Sequence, residues 1–132
     1  MKIKVLVADD EADVLAVMVK KIVAAGYDVV SAVDGREAWA KIVSESPDVV
    51  LLDLTMPYMD GYEVLKKLRE SPPAKKWQPV IIVSALNEME NLKKGFSLEA
   101  DHYITKPCNV ETILNAIKIM VSLIPQRKLE YD

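Results

Sequence analysis

Three carboxylates stand together near the start of this chain, Asp9, Asp10 and Glu11, and a fourth, Asp53, closes the apolar run "DVVLL". Ser84 closes a second apolar run, "VIIV", and Lys106 follows the short run "HYIT". Clustered carboxylates repel one another, so a site that keeps them ionised calls for a counter-charge. A hard divalent cation supplies it, and Mg²⁺ favours a few carboxylates with a carbonyl and waters. A lysine adds a point charge that can hold a phosphoryl oxygen, and a serine adds a neutral donor. Metal, lysine and hydroxyl around one carboxylate are the parts needed to stabilise a transferring phosphoryl group, with that carboxylate as nucleophile.

These residues do chemistry only if the chain brings them together. Short β-branched runs alternate with longer amphipathic ones. The pattern predicts strands over 2–8, 28–33, 48–53, 80–83 and 102–105, and helices over 11–25, 35–44, 62–70, 87–95 and 109–124. In the first helix Val14, Leu15, Met18, Val19 and Ile22 recur at helical spacing, and Gly26 suits the position just past its end. The run over 48–53 is almost wholly apolar, as expected of a parallel strand covered on both faces. Five strands alternating with five helices, joined by right-handed crossovers, predict a doubly wound (βα)5 α/β domain: a parallel five-stranded sheet with helices on both faces. In such sheets function collects beyond the carboxyl ends of the strands, and four of the five predicted strands deliver a polar or charged group to that end.

Composition narrows the class. The 132 residues are 51% hydrophobic and 28% charged, as in a soluble globular protein, and suffice for one domain but not two ordinary cores. The domain is expected over 1–124, with a short tail over 125–132 and no output domain. A net charge of −3 gives no basic field for nucleic acid or an anionic membrane. No apolar run approaches the ~20 residues of a membrane helix, and the apolar start is too short for a signal peptide. The single cysteine, Cys108, can form neither an internal disulfide nor a Cys-rich zinc site. A cytoplasmic setting is expected.

The strings "ADDE" at 8–11, "LLDLTMPYMDGYE" at 51–63, "VSA" at 83–85 and "DHYITKP" at 101–107 are each short, but their joint order and spacing are specific. Through them the chain resembles a response-regulator receiver domain, similar to the single-domain chemotaxis type of two-component signalling, over nearly its full length. The resemblance implies the flavodoxin-like strand order 2-1-3-4-5. The resemblance implies that Asp53 is the phosphoacceptor, taking a phosphoryl group from a phosphohistidine on a histidine kinase or phosphotransfer protein. It implies Mg²⁺ (or Mn²⁺) on Asp10, Asp53 and the backbone carbonyl of Thr55, with Asp9 acting through a metal-bound water. Lys106 would pair with Asp53 and then with the phosphoryl group. Ser84 would move toward the phosphoryl oxygens and let Tyr103 swing inward. Pro57 and Gly61 would shape the loop after Asp53, and Lys106–Pro107 would be a cis peptide. The chain would be no enzyme beyond phosphorylating and dephosphorylating itself, and its output would be a protein target or a self-dimer.

A degenerate receiver that only binds partners is the alternative, against which the intact acid, serine and lysine set argues. A phosphohydrolase of the haloacid-dehalogenase type would carry D-x-D after the first strand, and a flavin carrier would carry a glycine- and hydroxyl-rich loop there. This chain has neither. Departures from the family pattern are Cys108 in place of phenylalanine and Glu99 in place of glycine. Cys108 is expected to be a packed residue whose thiolate neighbouring acids disfavour. Thr55 and Leu86, two residues after Asp53 and Ser84, are expected to flank the path of an attacking water. Because Leu86 offers that water no hydrogen bond, a long-lived phosphoaspartate is expected. On the last helix Val110, Ile113, Leu114, Ile117, Val121 and Ile124 form a core stripe. Ile119 and Leu123 are expected to project from it onto a partner surface made with the fourth helix and fifth strand.

Overall fold

A computed structural model describes residues 2–93 and 100–131. Strands β1 (Lys4–Ala8), β2 (Asp28–Ala32), β3 (Val49–Leu52), β4 (Val80–Ala85) and β5 (His102–Lys106) alternate with helices α1 (Ala12–Ala24), α2 (Gly35–Glu45), α3 (Gly61–Glu70), α4 (Leu86–Lys93) and α5 (Val110–Tyr131). All strand pairs are parallel, as the sequence pattern predicts, in the order β2-β1-β3-β4-β5 that the resemblance implies.

Side chains alternate across a strand, so each central strand feeds two cores. Val5, Val7, Val49, Leu51, Ile81, Val83 and Ile104 face one side, against Leu15, Met18 and Ile22 of α1 and Ile113, Ile117 and Met120 of α5. Leu6, Ala8, Val50, Leu52, Val80 and Ile82 face the other, against Ala38 and Ile42 of α2, Val64, Leu65 and Leu68 of α3, and Met89 of α4. Two-sided burial is why β3 reads as an unbroken apolar run, each fully buried large side chain contributing about 1.5–3 kcal/mol. Gly26 follows α1 with φ +101°, a conformation that a Cβ resists, and there the chain reverses into β2.

The helix α5 does not stop at Ile124 but continues through Pro125 to Tyr131. Proline removes one helical hydrogen bond, and here the ring is exposed, where water can serve the carbonyl that loses its partner. The helix α4 begins at Leu86 rather than Asn87, directly after β4, which runs two residues further than predicted. Its predicted end at Gly95, and Glu99, lie outside the described residues.

Candidate functional site

Register sets the site. Ala8 of β1 lies beside Leu52 of β3, so the next residues, Asp9 and Asp53, emerge abreast, and the Asp53 amide donates to the Ala8 carbonyl at 3.1 Å. Ala85 of β4 pairs with Lys106 of β5, which brings Ser84 and Lys106 to the same sheet end. Both carboxylates are buried, and Asp10 beside them is exposed.

Lys106 Nζ bridges the two buried acids, donating to Asp53 Oδ2 at 2.8 Å and to Asp9 Oδ2 at 2.9 Å. Burial works against its ammonium form, but the hydrogen bonds and charges of Asp53 and Asp9 outweigh that and hold it above the ordinary lysine range. Asp53 Oδ1 accepts from Ser84 Oγ at 2.9 Å and from the Thr55 amide at 3.2 Å. Asp9 Oδ1 accepts from the Glu11 amide at 2.9 Å. Each oxygen of both buried carboxylates therefore has a donor, as buried charge demands.

The donor set fits a hard divalent cation. One oxygen each from Asp9, Asp10 and Asp53 lies within 4.8 Å of the others. The Lys106 ammonium, the one cation paired with these acids among the described residues, leaves two of the three negative charges uncompensated, and oxygen-only ligands suit Mg²⁺ or Mn²⁺.

The loop after Asp53 is tightly held. A Cβ on Gly61 would lie 2.1 Å from the Asp53 carbonyl oxygen, so only glycine lets α3 start this close behind the acid. The Gly61 amide donates to the Leu54 carbonyl at 3.0 Å, and Asp60 caps α3 by accepting from the Glu63 amide at 2.8 Å. Pro57 contributes its carbonyl to the Met59 amide at 2.8 Å. Tyr58 takes a left-handed φ of +68°, and the Arg36 guanidinium lies 4.4 Å from its ring centroid, tying the loop to the start of α2. The Lys106–Pro107 peptide is cis.

Residues 5–118 match the family model described as the response regulator receiver domain. The chain belongs to that family. Among solved structures, this receiver is similar to the receiver domain of the Francisella response regulator 1452, at 37% identity and TM-score 0.79 over 90% of this chain and 96% of that one. It is also similar to the chemotaxis protein CheY4 of Vibrio cholerae, at 32% identity and TM-score 0.80 over 91% and 99%. Among curated relatives, it is 42% identical over 106 residues to the probable transcriptional regulator ycf27 of Porphyridium aerugineum, covering 80% of this chain and 42% of the relative. It is 36% identical over 121 residues to the alkaline phosphatase synthesis transcriptional regulatory protein PhoP of Bacillus subtilis, covering 92% and 49%. The receiver thus spans less than half the length of these curated relatives. Among the described residues no helix is long and apolar enough to cross a membrane.

The remaining candidates fall around this centre. Tyr103 is half-buried against the core formed with α2, α3 and α4. Burial raises its phenol above the usual value, a backbone hydrogen bond from Ala100 opposes this, and the charge of Asp101 adds to it. Thr55 is exposed, and Leu86, at the first position of α4, is 55% exposed. Ile119 is 53% exposed, as expected, but Leu123 is not its companion. It packs half-buried against the core, because it continues the ladder of Ala116 and Met120, which are themselves buried. Cys108 is partly buried, and its thiol is pushed up by that burial; the charged group acting on it is Lys106, which pulls it down, rather than the acids the sequence pointed to.

Sequence reasoning missed Glu88. Its Oε2 accepts from Ser84 Oγ and, at 3.4 Å, from the Ala85 amide. A glutamate three residues after a helix cap is a readable signal. Starting α4 one residue late, at Asn87, hid it.

Proposed function

We propose that this receiver accepts a phosphoryl group on Asp53 from a phosphohistidine of a histidine kinase or phosphotransfer protein. The observation that supports this best is the convergence on one buried carboxylate of Lys106 and Ser84, 53 and 31 residues away in sequence. In the step, an Asp53 oxygen attacks phosphorus, the phosphorus–nitrogen bond breaks, and the imidazole leaves with the bonding pair. Lys106, already bonded to Asp53 and Asp9, is within reach of the new negative charge. Ser84 offers a phosphoryl oxygen a neutral donor. Asp10, Asp53 and the Thr55 carbonyl would hold Mg²⁺ or Mn²⁺, with Asp9 reaching it through water; the cation, when bound, neutralises charge on the phosphoryl oxygens.

Signalling would follow from the added charge and acceptors. Ser84 and Lys106 gain a better partner, Ser84 shifts, and Tyr103 turns inward at the face formed by α4, β5 and α5. Exposed Ile119 lies on α5 of that face, where a downstream protein or a second copy would dock. Transcriptional control is in the names of the two curated relatives, each about twice as long as this chain.

Incubation with a small phosphodonor such as acetyl phosphate in Mg²⁺ tests the reading. Phosphorylated protein is expected to accumulate in the wild type and to be absent with a chelator or in Asp53→Asn. Undiminished labelling of Asp53→Asn would place the acceptor elsewhere. No labelling of the folded wild type would favour the degenerate, binding-only receiver.

A further inference from the structure

Ser84 is fully buried, and its hydroxyl lies between two carboxylates, Asp53 on β3 and Glu88 on α4. A serine hydroxyl carries one hydrogen, and an ionised carboxylate only accepts. Ser84 can therefore serve one of the two acids at a time. Each acid has a second donor to fall back on: the Thr55 amide for Asp53 Oδ1 at 3.2 Å, and the Ala85 amide for Glu88 Oε2 at 3.4 Å. Neither is stripped when the hydroxyl turns away, so the single hydrogen of Ser84 has two supported positions. This is a two-state element in the most limited sense.

We propose that Glu88 competes with Asp53, and with a phosphoryl group carried on it, for the hydrogen of Ser84, and so sets how readily the domain enters its phosphorylated state. The proposal rests on the reading of Asp53 as phosphoacceptor. Glu88 acts through Ser84, as a positioning residue. It also sits in the first turn of α4, so the hydroxyl's choice is felt at the start of that helix. With Ser84 turned to Glu88, the first turn of α4 is tied to β4 by a side-chain bond as well as by the Ala85 amide. With Ser84 turned to the phosphoryl group, the amide alone remains.

Glutamine at this position replaces the competing acceptor by a donor. Ser84 Oγ and the Ala85 amide meet the one atom Oε2, so an NH₂ placed there gives up the Ala85 bond, donates to Ser84 Oγ and leaves the hydroxyl hydrogen to Asp53. Beryllofluoride with Mg²⁺, titrated by calorimetry into the full chain, is the probe. Glu88→Gln is expected to bind it about tenfold more tightly than wild type, the change that one redirected hydrogen bond gives. Glu88→Ala, which removes the competitor without adding a donor, is expected to fall between the two. In a Ser84→Ala background the effect of Glu88→Gln should vanish. Equal affinity of wild type and Glu88→Gln, or a gain that survives Ser84→Ala, overturns the proposal while leaving the Asp53 reading intact. Absence of binding to wild type and Glu88→Gln alike overturns both.

Discussion

At the scale of single residues, the arrangement is dominated by one ammonium among acids. Replacing Lys106 with methionine leaves Asp9 and Asp53 buried without their shared cation. The loss in unfolding free energy is expected to be up to about 3 kcal/mol, and added Mg²⁺ should recover part of it. Chemical denaturation with and without Mg²⁺ checks this; equal stabilities of variant and wild type would contradict it. The pH dependence has a definite sign. Because Lys106 is held above its ordinary value of 10.5, its contribution is complete below that value and is lost as pH rises through the folded-state value. An alkaline loss of stability present in the wild type and absent in Lys106→Met is expected. Cys108 offers a second test. Burial raises its thiol above the ordinary 9.0, so alkylation by iodoacetamide at neutral pH should be slower than that of free cysteine. Removing the opposing charge in Lys106→Met should slow it further. Leu86 bears on lifetime: Leu86→Glu, which adds a group able to orient water, is expected to speed phosphate loss several-fold in a single-turnover decay. Asp9, Asp10, Asp53, Ser84 and Lys106 were legible because strand ends were. Glu88 was not, because its role depends on which residue begins α4.

At the scale of elements, the strands and helices were readable from periodicity, and the misreadings concern their ends. Local signals compete there: β4 carries its pairing to Ala85, opposite Lys106, beyond the apolar run that marks its middle. Proline is a strong stop signal, yet α5 passes through Pro125 where the ring is exposed. The side of α5 on which Leu123 falls was misjudged because Ala116, small and uninformative in a pattern of large apolar residues, is a buried rung of the same ladder. The element most constrained by its neighbours is the start of α3. Gly61→Ala is expected to cost about 3 kcal/mol, since the added methyl meets the backbone of Asp53 itself. A thermal scan that leaves its midpoint unmoved would contradict this. At the start of α2, where the Glu37 amide bonds Asp34 Oδ1 at 2.7 Å, Asp34→Ala should cost only about 1 kcal/mol.

At the scale of the whole molecule, the parallel doubly wound sheet was legible because alternating βα units with right-handed crossovers leave few alternatives, and the site's location at the strand ends followed from it; the strand order came with the motifs that carry the family resemblance. Which outer faces serve partners is far less legible, since exposed apolar residues occur on every soluble protein. The two α5 residues can be told apart by stability alone. Ile119→Lys should change unfolding free energy by no more than about 0.5 kcal/mol, whereas Leu123→Lys should cost more because its side chain packs on the core. The assembled molecule determines where a phosphoryl group lands. The most direct measurement is peptide mapping by mass spectrometry after exposure to acetyl phosphate and Mg²⁺, with borohydride reduction to mark the acyl phosphate. Marking at Asp53 alone, abolished by a chelator, is the predicted result. Marking at Asp9, Asp10 or any other residue, or none on folded protein, would contradict it.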